Sequence, residues 1–197
     1  MMRRSERQIW RYGTVLRSLP IAVIASFVLP TQPSYAACTP ATPCVEGPTD
    51  LGTLGGTQST AYLVSDDGTV VAGQSYISVG FNQHGYRWEG GTMTDLGTLG
   101  GTNMSPYDMS GDGSVIVGLA SIAGGDTHAF RWEGGTLTDL GTLGGSASIA
   151  RAVSADGTVV AGYADTATET HAFRWEGGTM TDLGTLGGTY SSADYLS

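Results

Sequence analysis

The sequence predicts an all-β fold built from tandem repeats of about 44 residues. Two observations lead to this prediction. The 197-residue chain contains 31 glycines and no lysine, and only 14% of its residues are charged, a composition that suits short strands and tight turns better than helices. The heptapeptide Asp-Leu-Gly-Thr-Leu-Gly-Gly also occurs four times. Its copies start at Asp50, Asp95, Asp139 and Asp182, which lie 45, 44 and 43 residues apart.

Each repeat divides into four predicted strands. In the first complete repeat, the Asp67-Gly68 step separates two short runs of strand-forming residues, and this dipeptide is typical of a tight hairpin turn. A second hairpin is predicted around Gly90 and Gly91. The four strands, named a to d, are predicted over residues 61–65, 69–73, 84–88 and 92–96.

The side-chain patterns of two strands indicate how they are buried. Strand b contains the continuous apolar run 70–72, which predicts burial on both faces. Strand c alternates, so that His84, Tyr86 and Trp88 share one face. A four-stranded antiparallel unit with an inner strand buried on both sides is typical of a β-propeller blade. We therefore predict an open, partial β-propeller of about three blades, with a β-solenoid as the alternative.

The series His-Ala-Phe-Arg-Trp-Glu-Gly-Gly, followed by Asp-Leu-Gly-Thr-Leu-Gly-Gly, resembles the HAF family of bacterial extracellular repeats. The resemblance covers about residues 49–197, and the first repeat departs from it with Gly85-Tyr86 in place of Ala-Phe. It implies export by a bacterium, often as an autotransporter-like or surface-displayed protein, and no established catalytic activity. The complete units are expected at about 50–94, 95–138 and 139–181, with a partial unit at 182–197.

Three positions of strand c carry the same residue types in every complete repeat. Because tandem repeats place equivalent residues about one blade apart, these residues are predicted to be structural rather than to converge on one metal ion or catalytic centre. Each arginine is predicted to pair with a nearby carboxylate and so tie strand c to strand d or to the neighbouring blade. No catalytic residue, metal ligand or cofactor is predicted. The positions are His84, His128 and His171; Arg87, Arg131 and Arg174; and Trp88, Trp132 and Trp175.

Residues 1–36 are predicted to be a secretory signal peptide. Five of the nine arginines precede residue 18, an apolar stretch follows over 19–29, and cleavage is predicted between Ala36 and Ala37. The apolar stretch is too short for a membrane span of roughly 20 residues, which disfavours the alternative of a retained anchor. No membrane span is predicted after the cleavage site.

Residues 37–48 are predicted to be a short linker rich in cysteine and proline. Cys38 and Cys44 are the only cysteines of the chain, and a disulfide between them is favoured in an oxidising compartment. Lipidation of Cys38 is the alternative, but Tyr35 stands where bacterial lipoprotein signals carry leucine.

The predicted array over residues 49–197 does not end on a complete repeat. A lone strand d is expected near residues 49–51 and a lone strand a near 192–197, on either side of three complete blades. Closed propellers typically have four to eight blades. Truncation of a longer protein is therefore favoured, and self-association through open blade edges is the alternative.

The predicted signal peptide, the repeat and the lack of a unique polar cluster favour a non-enzymatic protein that is secreted or displayed on the cell surface as a binding module. The resemblance to the HAF family implies, in addition, a fragment of an autotransporter passenger. Its ligand would be an extracellular protein or glycan. From residue 37 onward the net charge is −13, which disfavours nucleic acid as a partner. The alternative is an extracellular propeller-type hydrolase or lyase acting on a glycan. Residues that break the repeat, and could serve such chemistry, are Asp108, Asp126, Arg151, Asp165 and Glu169.

Overall fold

The computed structural model describes residues 49–78 and 82–196 of the chain. The predicted signal peptide and the linker with both cysteines lie outside the described residues. The cleavage site at Ala36 and Ala37 and the pairing of Cys38 with Cys44 therefore stay predictions. None of the described residues forms a helix that could span a membrane.

The described part of the chain is all-β and forms twelve strands. Most of the strands are followed by a turn or loop that contains glycine, whereas the loop 166–169 after the tenth strand has none. In chain order the strands are β1 (Ser59–Val64), β2 (Val70–Tyr76), β3 (Gln83–Glu89), β4 (Thr92–Asp95), β5 (Gly100–Met109), β6 (Val115–Ile122), β7 (Thr127–Glu133), β8 (Thr136–Asp139), β9 (Ser148–Val153), β10 (Val159–Asp165), β11 (Thr170–Glu176) and β12 (Thr179–Asp182).

The strands form three antiparallel meanders of four strands each, which we call blade 1 (β1–β4), blade 2 (β5–β8) and blade 3 (β9–β12). The first strand of a blade contacts the preceding blade, because β5 packs against β1, β2 and β3, and β9 packs against β5, β6 and β7. The predicted open, partial propeller is confirmed. The antiparallel meanders exclude the β-solenoid, in which successive coils stack in parallel.

The hairpin between the first two strands of each blade is held by one serine and one aspartate. In blade 1, Asp67 Oδ1 accepts hydrogen bonds from the Ser65 hydroxyl at 2.7 Å and from the Thr69 N–H at 2.9 Å. The Ser65 hydroxyl oxygen in turn accepts the Val70 N–H at 2.9 Å. Gly68 has a φ of +75°, which glycine adopts at little cost. The Ser-x-Asp-Gly motif therefore specifies the predicted turn, and it does so again at Asp112 and Asp156.

The hydrophobic core lies between the blades. On β6, Val115 and Val117 pack with Val160 and Phe173 of blade 3. Ile116, on the opposite face of the same strand, packs with Ala72 of blade 1. Alternate side chains of this central strand thus fill two different interfaces, which is why its apolar run is continuous.

Burial of strand b on both faces, as the sequence predicts, is complete only in blade 2. All three residues 115–117 are at most 1% exposed. In blade 1 the middle residue, Val71, is half-buried, and in blade 3 the first residue, Val159, is half-buried. Each of these two residues points to the face of an end blade that no other described blade covers. The prediction was therefore wrong for one position in each end blade.

The chain on either side of the three blades forms no named strand within the described residues. The predicted lone strand d at 49–51 is irregular, and residues 183–196 make a single bridge from Tyr190 to Thr170. The expectation of two lone strands was therefore wrong for these residues. A strand needs a continuous partner to satisfy its backbone groups, and no neighbouring second strand is described for either segment.

Candidate functional site

The three recurrent histidines each bind a carboxylate of the same blade. Nδ1 of His84 lies 2.8 Å from Asp95 Oδ2, and Asp95 Oδ1 also accepts the Gly97 N–H at 2.8 Å. His128 pairs with Asp139, and His171 with Asp182, in the same way. Each pair ties strand c to the last residue of strand d. Over the described ranges, no three His, Cys, Asp or Glu side chains are grouped to hold a metal ion. This arrangement supports a structural role for the histidines.

The recurrent arginines form their ion pair within strand c. Arg87 Nη1 lies 2.8 Å from Oε2 of Glu89, which is two residues further along the same face of strand c. The ion-pair partner is therefore not a residue of strand d, as one form of the prediction expected. The link to the neighbouring blade is a hydrogen bond instead, since Arg87 Nε donates to the Gly113 carbonyl at 2.8 Å. Arg131 repeats both contacts, with Glu133 and with the Gly157 carbonyl.

Contacts of the arginine and tryptophan positions connect consecutive blades. The Arg131 guanidinium lies 5.7 Å from the ring centre of Trp175 in blade 3. Trp132 is buried in the core between blades 1 and 2, whereas Trp88 and Trp175 are half-buried. Arg174 pairs with Glu176, but 45% of its side chain is exposed, compared with 15% for Arg131. Arg87, Arg131 and Trp175 thus contact a neighbouring blade, and none of the recurrent arginines and tryptophans lines the clefts described below.

A different set of residues is projected by β-bulges from the first strand of each blade, β1, β5 and β9. In blade 1, Ala61 pairs with Gly73 and Leu63 pairs with Ala72, so that Tyr62 is an extra residue without a partner. Register shifts at the same place make Tyr107 the extra residue of β5 and Arg151 the extra residue of β9. A β-bulge bends the strand and redirects the extra side chain, a feature that is frequent next to functional sites.

The residue opposite each bulge must be glycine, because the two backbones come unusually close together. A Cβ built on Gly118 would lie 2.0 Å from the carbonyl oxygen of Ser105. The equivalent distances are 1.9 Å from Gly73 to the Thr60 oxygen and 1.9 Å from Gly162 to the Ile149 oxygen. Glycine at this position of strand b is thus the sequence counterpart of the bulge.

The three bulged residues lie twelve positions after the aspartate of the heptapeptide, and the same position after Asp182 is Asp194. We call Tyr62, Tyr107, Arg151 and Asp194 the bulge row. The neighbouring positions of this strand also vary between the repeats, and the bulge position itself carries three residue types, Tyr, Arg and Asp, in its four occurrences. Tyr62 is 53% exposed and Tyr107 is 38% exposed. The repeated scaffold therefore presents a non-repeated surface.

One end of the bulge row is a cleft built around a guanidinium group. The Arg151 guanidinium lies 5.1 Å from the ring centre of Tyr107 and 5.7 Å from that of Tyr163. Its Nε lies 3.9 Å from Asp194 Oδ1. Together with Tyr195, the row residues Tyr107, Arg151 and Asp194 line an open cleft of about 380 Å³. Burial raises the pKa of the Tyr107 hydroxyl, although Arg151 acts in the opposite direction, so this phenol is neutral at physiological pH.

The other end of the bulge row is a second open cleft of about 420 Å³ that shares Tyr107 as a wall. Here the Tyr62 hydroxyl bonds to Gln74 Oε1 at 2.8 Å. Nε2 of Gln74 donates to the Met104 carbonyl and to Ser105 Oγ, both at 2.7 Å. This network crosses from blade 1 to blade 2 and fixes the orientation of Gln74. The lining residues are Tyr62, Leu63, Gln74, Ser105, Pro106 and Tyr107.

Of the repeat-breaking residues that the sequence singled out, Arg151 alone lies in this site. Asp108 Oδ2 accepts the Val153 N–H of blade 3 at 2.8 Å. Asp165 accepts the Thr170 hydroxyl at 2.8 Å, and Glu169 lies 3.0 Å from Nε2 of His171. The main chain of Asp126 accepts the Ile122 N–H. These four residues have local roles.

Sequence reasoning missed Tyr62, Tyr107 and Asp194. The two tyrosines were overlooked because an aromatic residue in a predicted strand usually indicates packing rather than recognition. The sequence signal for the two tyrosines is the glycine that recurs in strand b at positions 73, 118 and 162, because it marks a bulge on the opposite strand.

No family model matches the chain, and no curated protein sequence matches it. Among solved structures, it is similar to TolB from Acinetobacter baumannii, with a TM-score of 0.49 and 20% identity over 68% of this chain and 34% of that chain. A putative TolB from Agrobacterium tumefaciens gives a TM-score of 0.49 and 17% identity over 62% of this chain and 44% of that one.

A fucose lectin from Kordia zhangzhouensis in complex with methyl-fucoside gives a TM-score of 0.37 and 13% identity over 68% of this chain and all of that chain. The chain spans less than half the length of the two TolB structures it matches. The description of this chain as an open, partial propeller rests on the order of its own strands and on the packing of its own blades.

Proposed function

We propose that the chain is an exported, non-enzymatic binding module of the HAF repeat type, secreted or displayed on the cell surface, that holds its ligand on the bulge row. One observation carries the proposal. Three successive bulges direct exposed side chains, two tyrosines and one arginine, from the first strand of each blade onto one surface. A scaffold of paired strands that projects side chains at its bulges is suited to recognition, because the strands hold the contact residues in place.

Binding is favoured over hydrolysis by the composition of the two clefts. A glycoside hydrolase typically uses a pair of carboxyl groups on either side of the bond that it cleaves. Among the described residues that line the clefts, Asp194 is the single carboxylate. The acidic residues Asp108, Asp165 and Glu169 are already engaged elsewhere. The hydrolase or lyase remains the alternative that the experiment below tests.

The net charge of −13 after residue 36 favours ligands other than nucleic acid. Self-association is a further part of the proposal, because the uncovered blade faces carry half-buried Val71 and Val159. Light scattering of the purified chain tests that part. A monomeric mass at all concentrations would argue against it.

The proposed function is tested by screening the full chain on a glycan array and on a peptide array. Tyr107→Ala and Arg151→Gln are the site variants, and Arg174→Gln is the matched control, since both arginines are similarly exposed beside a carboxylate. We expect both site variants to lose binding and the control to keep it. Binding that all variants retain would contradict the site. Shortened glycans, detected by mass spectrometry, would establish the hydrolase or lyase instead.

A further inference from the structure

We infer that the bulge row binds an uncharged saccharide chain, with one sugar in the cleft of Tyr107, Arg151 and Asp194 and the next sugars towards Tyr62 and Gln74. The inference rests on the proposed function and specifies the chemical class of its ligand. It is argued from the charge of the site, its aromatic surfaces and its fixed polar groups.

The charge of the site selects against ions of either sign. A cation would meet Arg151, whose guanidinium already lies 5.1 Å from the ring centre of Tyr107 and 5.7 Å from that of Tyr163. An anion would meet Asp194 close to Arg151, within a chain segment of net charge −13. The pair of opposite charges leaves the cleft close to neutral, so an uncharged ligand has the smallest electrostatic cost.

The surfaces of the site suit a ligand that is apolar on its faces and hydroxylated at its edges. Exposed tyrosine rings offer flat apolar area at a low cost in conformational entropy. The four tyrosines near the Arg151 cleft are Tyr107, Tyr163, Tyr190 and Tyr195, and the rings of Tyr163 and Tyr190 are 6.0 Å apart. A pyranose has such faces, formed by its C–H groups, and its hydroxyls lie around the rim.

The polar groups of the site match those hydroxyls. Arg151 donates in a fixed plane and Asp194 accepts, which suits two adjacent hydroxyls of one sugar. At the other end, both Nε2 hydrogens of Gln74 are used by Ser105 and the Met104 carbonyl, and its Oε1 accepts the Tyr62 hydroxyl, so Gln74 offers the ligand the remaining lone pair of Oε1. A polar group that is oriented before binding loses little entropy when the ligand arrives.

The repeated blades also favour an oligosaccharide over a single sugar as the ligand. Tyr107 belongs to both clefts, and the first strand of each successive blade carries one bulge position. A linear ligand that lies across these strands meets one projecting side chain per blade. A monosaccharide would occupy only one cleft, so affinity is expected to rise with the number of sugars.

The experiment is isothermal titration calorimetry of the full chain with neutral hexasaccharides of glucose and mannose. Hexagalacturonate and the chitosan hexamer are the anionic and cationic counterparts. We expect a neutral hexasaccharide to bind, with an affinity that changes less than about twofold between low and high salt, because no charge pair forms with the ligand. Tyr107→Ala should weaken binding about tenfold. Tyr107→Phe, which keeps the ring, and the control Arg174→Gln should retain it.

Failure of the inference and failure of the proposed function give different results. If only a charged hexasaccharide or a peptide binds, and Tyr107→Ala abolishes that binding, the saccharide inference is wrong and the proposed function stands. If nothing binds at the bulge row, both are wrong. If a neutral hexasaccharide binds equally to wild type, Tyr107→Ala and Arg151→Gln, the chain binds saccharides elsewhere and the assigned site is overturned. The melting temperature of each variant confirms that it is folded.

Discussion

Alanine at position 118 is expected to disrupt the bulge that projects Tyr107. A Cβ on Gly118 would lie 2.0 Å from the Ser105 carbonyl oxygen and 3.0 Å from Cε1 of Phe130. Ordinary carbon–oxygen contacts across a sheet are at about 3.3 Å, so the two strands would have to separate by more than about 1 Å. The nearest atom belongs to the main chain, which cannot rotate away as the end of a flexible side chain can.

The magnitude follows from this geometry. An added methyl group in a packed interior typically lowers the free energy of unfolding by about 1–3 kcal/mol. Because the clash is with the main chain, we expect Gly118→Ala to lie at the upper end, about 3 kcal/mol. The entropy gained by replacing a strand glycine with alanine returns at most about 1 kcal/mol. For an array of this size, a net loss of about 2–3 kcal/mol lowers the melting temperature by roughly 4–12 °C.

The assay is thermal unfolding followed by far-ultraviolet circular dichroism. Gly124→Ala is the matched control, because a Cβ on Gly124 would meet no atom within 4 Å and this glycine is not in the left-handed region. We expect the control to melt within about 2 °C of wild type. If Gly118→Ala also melts that close to wild type, glycine is not required by the bulge, and the structural account of the bulge row is refuted.

Three further predictions concern packing and pH. A Cβ on Gly85 would lie 2.8 Å from Met104 Sδ, so Gly85→Ala should lower the free energy of unfolding by about 1 kcal/mol in the wild type. In the Met104→Ser variant the same substitution should cost nothing. A double-mutant cycle measures this coupling, and additive effects of the two substitutions would disprove it. Hydrogen bonds from the Ser110 hydroxyl and then the Ser114 N–H lower the pKa of Asp112 from 3.8 to about 2, so its stabilisation is present above pH 3.8 and lost as the pH falls towards 2. The melting temperatures of wild type and Asp112→Asn should therefore converge in acid, and a constant difference would contradict this. Hydrogen bonds to Asp182 and then Glu169 raise the pKa of His171 above 6.5, so its stabilisation is complete below pH 6.5 and lost as the pH rises through the raised value. Glu169→Gln should lower this pKa in a nuclear magnetic resonance titration, and an unchanged value would show that Glu169 has no part in it.

The packing between Gly85 and Met104 also explains why the first repeat departs from its neighbours. The other repeats carry alanine at the position of Gly85, and each is matched by a serine at the position of Met104. Ser148 accepts the Ala129 N–H at 2.8 Å, and Ser191 accepts the Ala172 N–H at 2.7 Å. In the first interface a larger methionine fills the space that glycine leaves. The replacement of alanine by Gly85 in the first repeat is thus compensated by the replacement of serine by Met104 in the next blade.

Local signals determined the repeat and its strands. The spacing of the heptapeptide, the Asp67-Gly68 turn and the continuous apolar run of strand b are each readable within a few residues of sequence. They predicted an all-β array of about three open propeller blades, which the structure confirms. The sequence also predicted that each arginine pairs with a nearby carboxylate, and this pair is present, but it does not connect the blades. Arg87 contacts the neighbouring blade through the carbonyl of Gly113 instead.

The tertiary structure alone decided which residues form the candidate site. Regular alternation along a strand assigns every side chain to one of two faces. A bulge interrupts this alternation, so the orientation of Tyr62, Tyr107 and Arg151 does not follow from their place in the sequence pattern. The clefts further require residues from different blades, such as Gln74 with Ser105 and Arg151 with Tyr107. A repeated sequence specifies what each blade is. Which side chains meet between blades depends on the packing angle and on where the backbone departs from regularity, and neither is a property of one repeat.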